Sequence, residues 1–103
     1  MGTNLQKQIG EFGSKHNWLH PVGLIKHLQE EVDELKEALD TAKYPSRWCK
    51  EEAADCCIIL FAIAHTVGFN LLRAVEEKQK INQKRTWLPP DEDGVVRHKE
   101  NHT

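Results

Sequence analysis

Apolar side chains recur at helical spacing along three long stretches of this chain and more weakly along a shorter one before them. No segment shows the sustained period-two alternation of a strand, and β-branched residues do not cluster. The pattern predicts a weak first helix from about Asn4 to Lys15, interrupted by Gly10 and Gly13. A loop through Trp18, His20 and Pro21 follows, and a second helix spans Val22 to Thr41. Tyr44-Pro45-Ser46 marks the next break, since proline disfavours helix in the residue before it and Ser46 suits an N-cap. The third helix runs from there to about Val67, where Gly68 is a natural stop. Asn70 is placed to cap a fourth helix that reaches about Arg85. Beyond Trp87, Pro89-Pro90 ends the helical pattern. The remaining DEDGVVRHKENHT is polar, reads as a loose terminus, and has only Val95 and Val96 as anchors. The expected fold is therefore all-α, a four-helix bundle-like protomer, with a domain over residues 1–87 and a polar tail over 88–103.

The third helix is unusual. From Ala53 to Ala64 it reads AADCCIILFAIA, twelve residues with one charge, Asp55. A helix that is apolar all round is expected to be buried all round. A chain of 103 residues is short for that task, because small domains bury a smaller share of their surface. The sequence thus predicts a second copy covering part of this helix, in a homodimer or homotetramer.

Unrolling the helices at about 100° per residue locates the charges. With Glu30 at zero, the apolar residues Leu24, Leu28, Val32, Leu35, Ala38 and Leu39 fall between about 80° and 200°. Glu31, near 100°, lies inside that sector, and Glu34, near 40°, lies at its border. On the third helix Glu52 and Asp55 are three apart, about 60° from each other, and share a face with Trp48, Ile59, Ala62 and Ile63. A short loop should make these two helices antiparallel neighbours. Glu31, Glu34, Glu52 and Asp55 then converge. Several ionised carboxylates close together in apolar surroundings are expensive. Either some are protonated or a divalent cation neutralises them. An all-oxygen set with no Cys or His suits Mg²⁺ or Mn²⁺. The plainer alternative pairs Glu31 and Glu34 with lysines on a solvated face.

On the fourth helix Lys78, Asn82 and Arg85 fall within about 60° of one another and share a sector with Leu71, Ala74, Val75 and Ile81. Two cations and an amide prolonging the inward face make a site for a polyphosphate: a point charge, a planar fork and a reader of polar edges. The alternative is cations snorkelling at a helix end.

Composition narrows the field. A net charge of −2 leaves no basic footprint for nucleic acid. No long uncharged apolar run predicts a membrane span, and the N-terminal MGTNLQKQIG has no apolar signal core. Cys49, Cys56 and Cys57 fit neither a disulfide framework nor a zinc pattern, and read as small core residues in a reducing, cytoplasmic setting. His16, His20, His27 and His65 are scattered. The Glu-then-His spacing of di-iron bundles is absent.

The acidic residues carry a family likeness. Glu30-Glu31-Val32-Asp33-Glu34, then seventeen residues, then Glu52-Ala53-Ala54-Asp55, is followed downstream by Lys78, Asn82, Arg85 and Trp87. This pattern resembles the MazG-like, all-α nucleoside triphosphate pyrophosphohydrolases, from about Trp18 to His98, and the DEDGVVRH tail resembles small bacterial or phage members. The resemblance implies a hydrolase acting on acid anhydrides. It would cleave a nucleoside triphosphate between the α- and β-phosphates, giving monophosphate and pyrophosphate, in nucleotide-pool cleansing or in nucleotide supply during phage infection. It implies Mg²⁺ on Glu31, Glu34, Glu52 and Asp55, with Glu30 or Glu34 handling the attacking water. Lys78, Asn82 and Arg85 would bind the phosphates, and Trp18 or Trp87 would stack on the base unless they are core or lid residues. Phosphoribosyl-ATP pyrophosphohydrolases share the fold, but their Asp-Leu-Leu-Tyr-His run is replaced here by Asp55-Cys56-Cys57-Ile58-Ile59. A non-catalytic helical interaction module is the rival of a different class.

Overall fold

The computed structural model describes residues 2–41 and 46–100, without the side chains of residues 2 and 3. Four helices follow in order: α1 Gly2–Lys15, α2 Pro21–Thr41, α3 Arg47–Val67 and α4 Leu71–Lys84. Among the described residues no strand exceeds a single antiparallel bridge, Trp87 to His98. The chain divides into two compact units, one ending at Leu72 and one beginning at Arg73.

In the first unit α3 packs against both α1 and α2. Leu24, Ile59 and Ala62 form its buried centre, with Ile9, Trp18, Leu19, Leu28 and Ile63 packed against them. Three pairings fix the direction of α2 against α3. Ala38 accepts from the Cys49 thiol, Glu31 lies beside Glu52 and Asp55, and Leu24 meets Ile59 and Ala62. Positions rise along one helix as they fall along the other, so the two are antiparallel, as a short connection requires. Tyr44 and Pro45 lie outside the described residues. Ser46 caps α3 as its side chain suggests, accepting the Cys49 N–H at 3.0 Å. Gly68 ends the helix in the left-handed region (φ 102°), with its N–H on Ala64 O at 2.8 Å.

The expectation for α1 changes. Gly10 and Gly13 do not interrupt α1. They are points of close approach, because a Cβ on Gly10 would lie 2.4 Å from the His65 ring and one on Gly13 would lie 2.6 Å from Leu19. As expected of so short a chain, α3 is not buried all round by the single protomer. Trp48, Ile58, Leu60 and Val67 stay exposed, because α1 and α2 cover only part of its circumference. The N-terminus of α4 is held from a distance. The Gln6 amide on α1 donates to Phe69 O at 2.7 Å and accepts the Leu71 N–H at 2.9 Å.

No residue of α4 is fully buried, and its half-buried residues, Leu71, Ala74 and Asn82, fall on the sector that carries Lys78 and Arg85, of which Lys78 is exposed and Arg85 half-buried. The polar tail is not loose over the described residues. Leu88 N–H donates to Arg97 O, and Lys99 N–H to Thr86 O, closing a hairpin. At its tip Asp91 Oδ1 accepts the N–H groups of Asp93 and Val95, each at 2.9 Å, while Oδ2 accepts from Arg97 at 2.6 Å. Gly94 takes the positive φ of 83° that the turn needs. An aspartate that satisfies turn amides replaces the apolar core that this segment lacks.

Candidate metal centre

Helical periodicity delivers the acidic residues. On α2, Glu31 falls on the side that faces α3 and keeps only 13% of its side-chain surface. On α3, Glu52 and Asp55 are one turn apart. The antiparallel pairing brings all three together, so that one carboxylate oxygen from each lies within 4.8 Å of the others. Glu31 and Glu52 are half-buried and Asp55 is exposed. Asp55 thus departs from the expected apolar surroundings, although the cavity that it lines has Trp18, Ile58 and Ile59 among its walls.

The electrostatics are unfavourable as they stand. Glu31 Oε2 and Glu52 Oε2 are buried with no hydrogen-bond partner. Burial, followed by the facing carboxyls of Glu34 and Glu31, pushes Glu52 up to about 7 from an ordinary 4.5. Burial, followed by the charges of Glu31, Glu52 and Asp55, pushes the Cys56 thiol up as well. Two orphaned oxygens, a third carboxylate within reach and an all-oxygen donor set are what a hard divalent cation needs. The residues present therefore fit Mg²⁺ or Mn²⁺. Glu34, exposed as a residue, joins through its contact with Glu52. Glu30 is exposed and outside the converging group.

A cavity of about 140 Å³ adjoins the cluster, lined by Trp18, His27, Glu31, Asp55, Ile58 and Ile59. Trp18 is both core and cavity wall, since it also packs against the buried centre. The sequence assigns His27 no role in this site, since its spacing to Glu30 does not make the Glu-then-His pattern of a di-iron bundle. Its Nε2 lies 3.2 Å from Glu31 Oε1, and the i,i+4 spacing on a helix was the available signal.

The other expected site residues belong to the second unit. Asn82 organises them: Arg85 Nη1 donates to its Oδ1 at 3.3 Å, and Trp87 Nε1 donates to its backbone oxygen at 3.0 Å. Trp87 also meets the His98 ring edge-on at 5.8 Å. Lys78 is exposed. No single helix, among the described residues, is long and apolar enough to cross a membrane.

Comparison with known proteins agrees with this geometry. Residues 6–102 match the family model described as dATP/dGTP pyrophosphohydrolase. A dATP/dGTP diphosphohydrolase of cyanophage S-2L is 34% identical over 88 residues, covering 79% of this chain and 77% of that protein. A solved structure, the cyanophage S-2L MazG-like pyrophosphohydrolase bound to dGDP and three catalytic Mn²⁺ ions per active site, superposes with a TM-score of 0.77 at 25% identity. That match covers 99% of this chain and 96% of the other. With the family pattern running through nearly its whole length, the chain belongs to the MazG-like dATP/dGTP pyrophosphohydrolases.

Proposed function

We propose that this chain hydrolyses dATP and dGTP between the α- and β-phosphates, releasing the deoxynucleoside monophosphate and pyrophosphate, with Mg²⁺ or Mn²⁺ at the carboxylate cluster. The observation that carries the reading is the convergence of Glu31, Glu52 and Asp55, two of them with buried, unpartnered oxygens, in a member of this family. Glu31, Glu34, Glu52 and Asp55 hold the metal. What a dication supplies there is neutralisation of phosphate charge and a lowered pKa for water.

The protein's own groups do the rest. Glu34 or Glu30 orients the attacking water and accepts its proton. Lys78 and Arg85 take up charge on the phosphates as the bond breaks, and Asn82 fixes Arg85 through its side-chain oxygen. Trp18 or Trp87 offers an aromatic face to the purine. The cellular role is control of the deoxynucleotide pool. The working form is a homodimer or homotetramer, supported by the apolar residues that stay exposed on α3 and by Val22, Ile25, Val32 and Leu39 on α2. Sedimentation as a monomer at micromolar concentration contradicts that assembly.

The test is a panel of ribo- and deoxynucleoside triphosphates with Mg²⁺ or Mn²⁺, scored separately for monophosphate, diphosphate, pyrophosphate and orthophosphate. Monophosphate and pyrophosphate from dATP and dGTP are expected. Orthophosphate with a diphosphate product, or no turnover with any purine deoxynucleotide, sinks the reading.

A further inference from the structure

One surface phenylalanine is better connected than its exposure suggests. Phe12 on α1 keeps 57% of its surface, yet its ring meets two others. The His16 ring lies one turn on, with centroids 4.3 Å apart, and the Trp18 ring stands nearly perpendicular, at 6.1 Å and 75°. The end of α1 brings the indole there. Asn17 takes a positive φ of 56°, its N–H donates to Ser14 O at 3.2 Å, and the Trp18 N–H donates to Gly13 O at 3.0 Å. A helix closed in this way sets the residue after the left-handed one against the helix's own last turns. The indole thus lies close to Gly13, where a Cβ would be 3.3 Å from Trp18 Cε2. Trp18 also packs on the buried centre of Leu24, Ile59 and Ala62, and it walls the cavity that Glu31 and Asp55 line. Core, helix backbone and Phe12 together hold one large ring beside the acidic cluster.

We propose that Phe12 is a positioning residue for substrate binding: it braces Trp18, so that the indole offers a fixed face to the purine of a nucleotide held at the metal centre. The proposal rests on the function proposed above and takes Trp18 as the ring that meets the base. An indole turns about two side-chain bonds. Left unbraced, it has to be ordered when the base arrives, and that ordering weakens binding. The near-perpendicular arrangement of Phe12 and Trp18 is one that ring quadrupoles favour, and such a pair is worth a factor of about 2–10 in an equilibrium. Phe12 is outside the cavity lining, so it acts through Trp18 and not by touching the base.

The experiment measures kcat and KM for dGTP at saturating Mn²⁺, and inhibition by inorganic tripolyphosphate, which carries the phosphates without a base. The proteins are wild type, Phe12→Ala, Phe12→Leu, Phe12→Tyr, Trp18→Leu and the Phe12→Ala, Trp18→Leu double variant, each checked by circular dichroism. Phe12→Ala should raise KM by about 2- to 10-fold, with kcat and tripolyphosphate inhibition unchanged. Phe12→Tyr keeps the ring and should match wild type, whereas Phe12→Leu keeps only bulk and should not. Trp18→Leu should raise KM further, and adding Phe12→Ala to it should change nothing more. If Phe12→Ala loses helix, the contrast between Phe12→Leu and Phe12→Tyr decides. Wild-type KM in Phe12→Leu overturns the positioning role, because the ring would then act by bulk alone. Equal weakening of dGTP and tripolyphosphate overturns it as well, since that marks general damage to the fold, and so do additive effects in the double variant. Wild-type KM in Trp18→Leu removes the base-facing indole and this proposal, while leaving the metal centre standing. Wild type that releases no pyrophosphate from dGTP overturns the proposed function itself.

Discussion

Glu52 and Asp91 carry the same functional group in the two units of the chain, and the fold treats them in contrary ways. Asp91 is surrounded by donors: two backbone N–H groups on one oxygen and the Arg97 guanidinium on the other. That company holds its carboxyl below the ordinary range, Arg97 contributing most. Glu52 has one oxygen buried with no donor, and burial together with two facing carboxyls pushes it up to about 7. An acid used as structure is given its partners by the fold. An acid kept without them is held for a partner from outside. The first unit is built by helix packing, which can carry such unbalanced charge. The second unit's hairpin has little apolar burial and stands on hydrogen bonds.

The largest expected effect comes from removing the unbalanced acids. Glu52→Gln or Asp55→Asn should lower pyrophosphate release on the order of 10³-fold, and chelation with EDTA should do the same to wild type, with the helical dichroism signal intact in each case. Activity retained by both variants refutes the ligand assignment. The comparison adds a sharper expectation. At about pH 8, metal-free Glu52→Gln should melt higher than metal-free wild type, since the amide relieves repulsion among buried acids. An ordinary structural glutamate would show the reverse.

A second variant asks whether the first unit really is held by packing. In Gly10→Ala the new methyl group meets the base of the His65 ring, so α1 and α3 must part or the ring must turn out. Overpacking of this kind costs about 1–3 kcal/mol, offset by less than about 1 kcal/mol of helix preference for alanine. A lowered urea midpoint is expected, and His65→Ala in the same chain should recover most of it in a double-mutant cycle. A Gly10→Ala chain as stable as wild type would mean that α1 rides loosely on α3.

How far these features could be read from the sequence follows from their range. The Ser46 cap, the Gly68 stop and all four helices are local, set by neighbours within one turn, and they are legible. The positions of Glu31 and Glu52 follow from a period of 3.6 and one antiparallel pairing, and they are legible too. The Gly10–His65 approach and the Gln6 clamp on Leu71 join residues far apart in the chain. A glycine in a helix looks like a weakness until the neighbouring helix is placed. The hairpin was hidden for a different reason: DEDG is a polar run whose order comes from side chain-to-backbone bonds, which leave no hydrophobic period. The α3 pattern was legible as apolar all round, but one protomer covers only part of it.

The contrast between the two acids also predicts pH slopes of opposite sign. Glu52 has a folded-state pKa raised above its ordinary 4.5, so its contribution to the metal-free fold is fully present below about pH 4.5 and is lost as pH rises through about 7. Asp91 has a lowered folded-state pKa, so its contribution is present above its ordinary 3.8 and is lost as pH falls through the folded value. Melting curves in EDTA from about pH 5 to 8 should therefore show falling stability. Saturating Mn²⁺ should flatten or reverse that slope, because the ion competes with the proton for the same oxygens. A metal-free melting temperature that rises steadily over this window would contradict the strained state of Glu52.

The smallest and most local effect belongs to the hairpin. Asp91→Asn keeps the shape but replaces one anionic oxygen with an amide nitrogen, which cannot accept, and removes the Arg97 ion pair. The turn loses either its two N–H acceptors or its cation, depending on which way the amide faces. Amide hydrogens of Leu88 and Lys99, which close the hairpin, should then exchange faster in hydrogen-exchange mass spectrometry or NMR, together with those of Asp93 and Val95 at the tip. Helical dichroism and Mn²⁺ affinity should barely change, since the carboxylate cluster draws on α2 and α3 alone. Protection that persists at Leu88 and Lys99 would mean that the hairpin does not stand on Asp91. A fall in Mn²⁺ affinity would mean that the two acids are coupled, and the division into a satisfied and a waiting carboxylate would no longer hold.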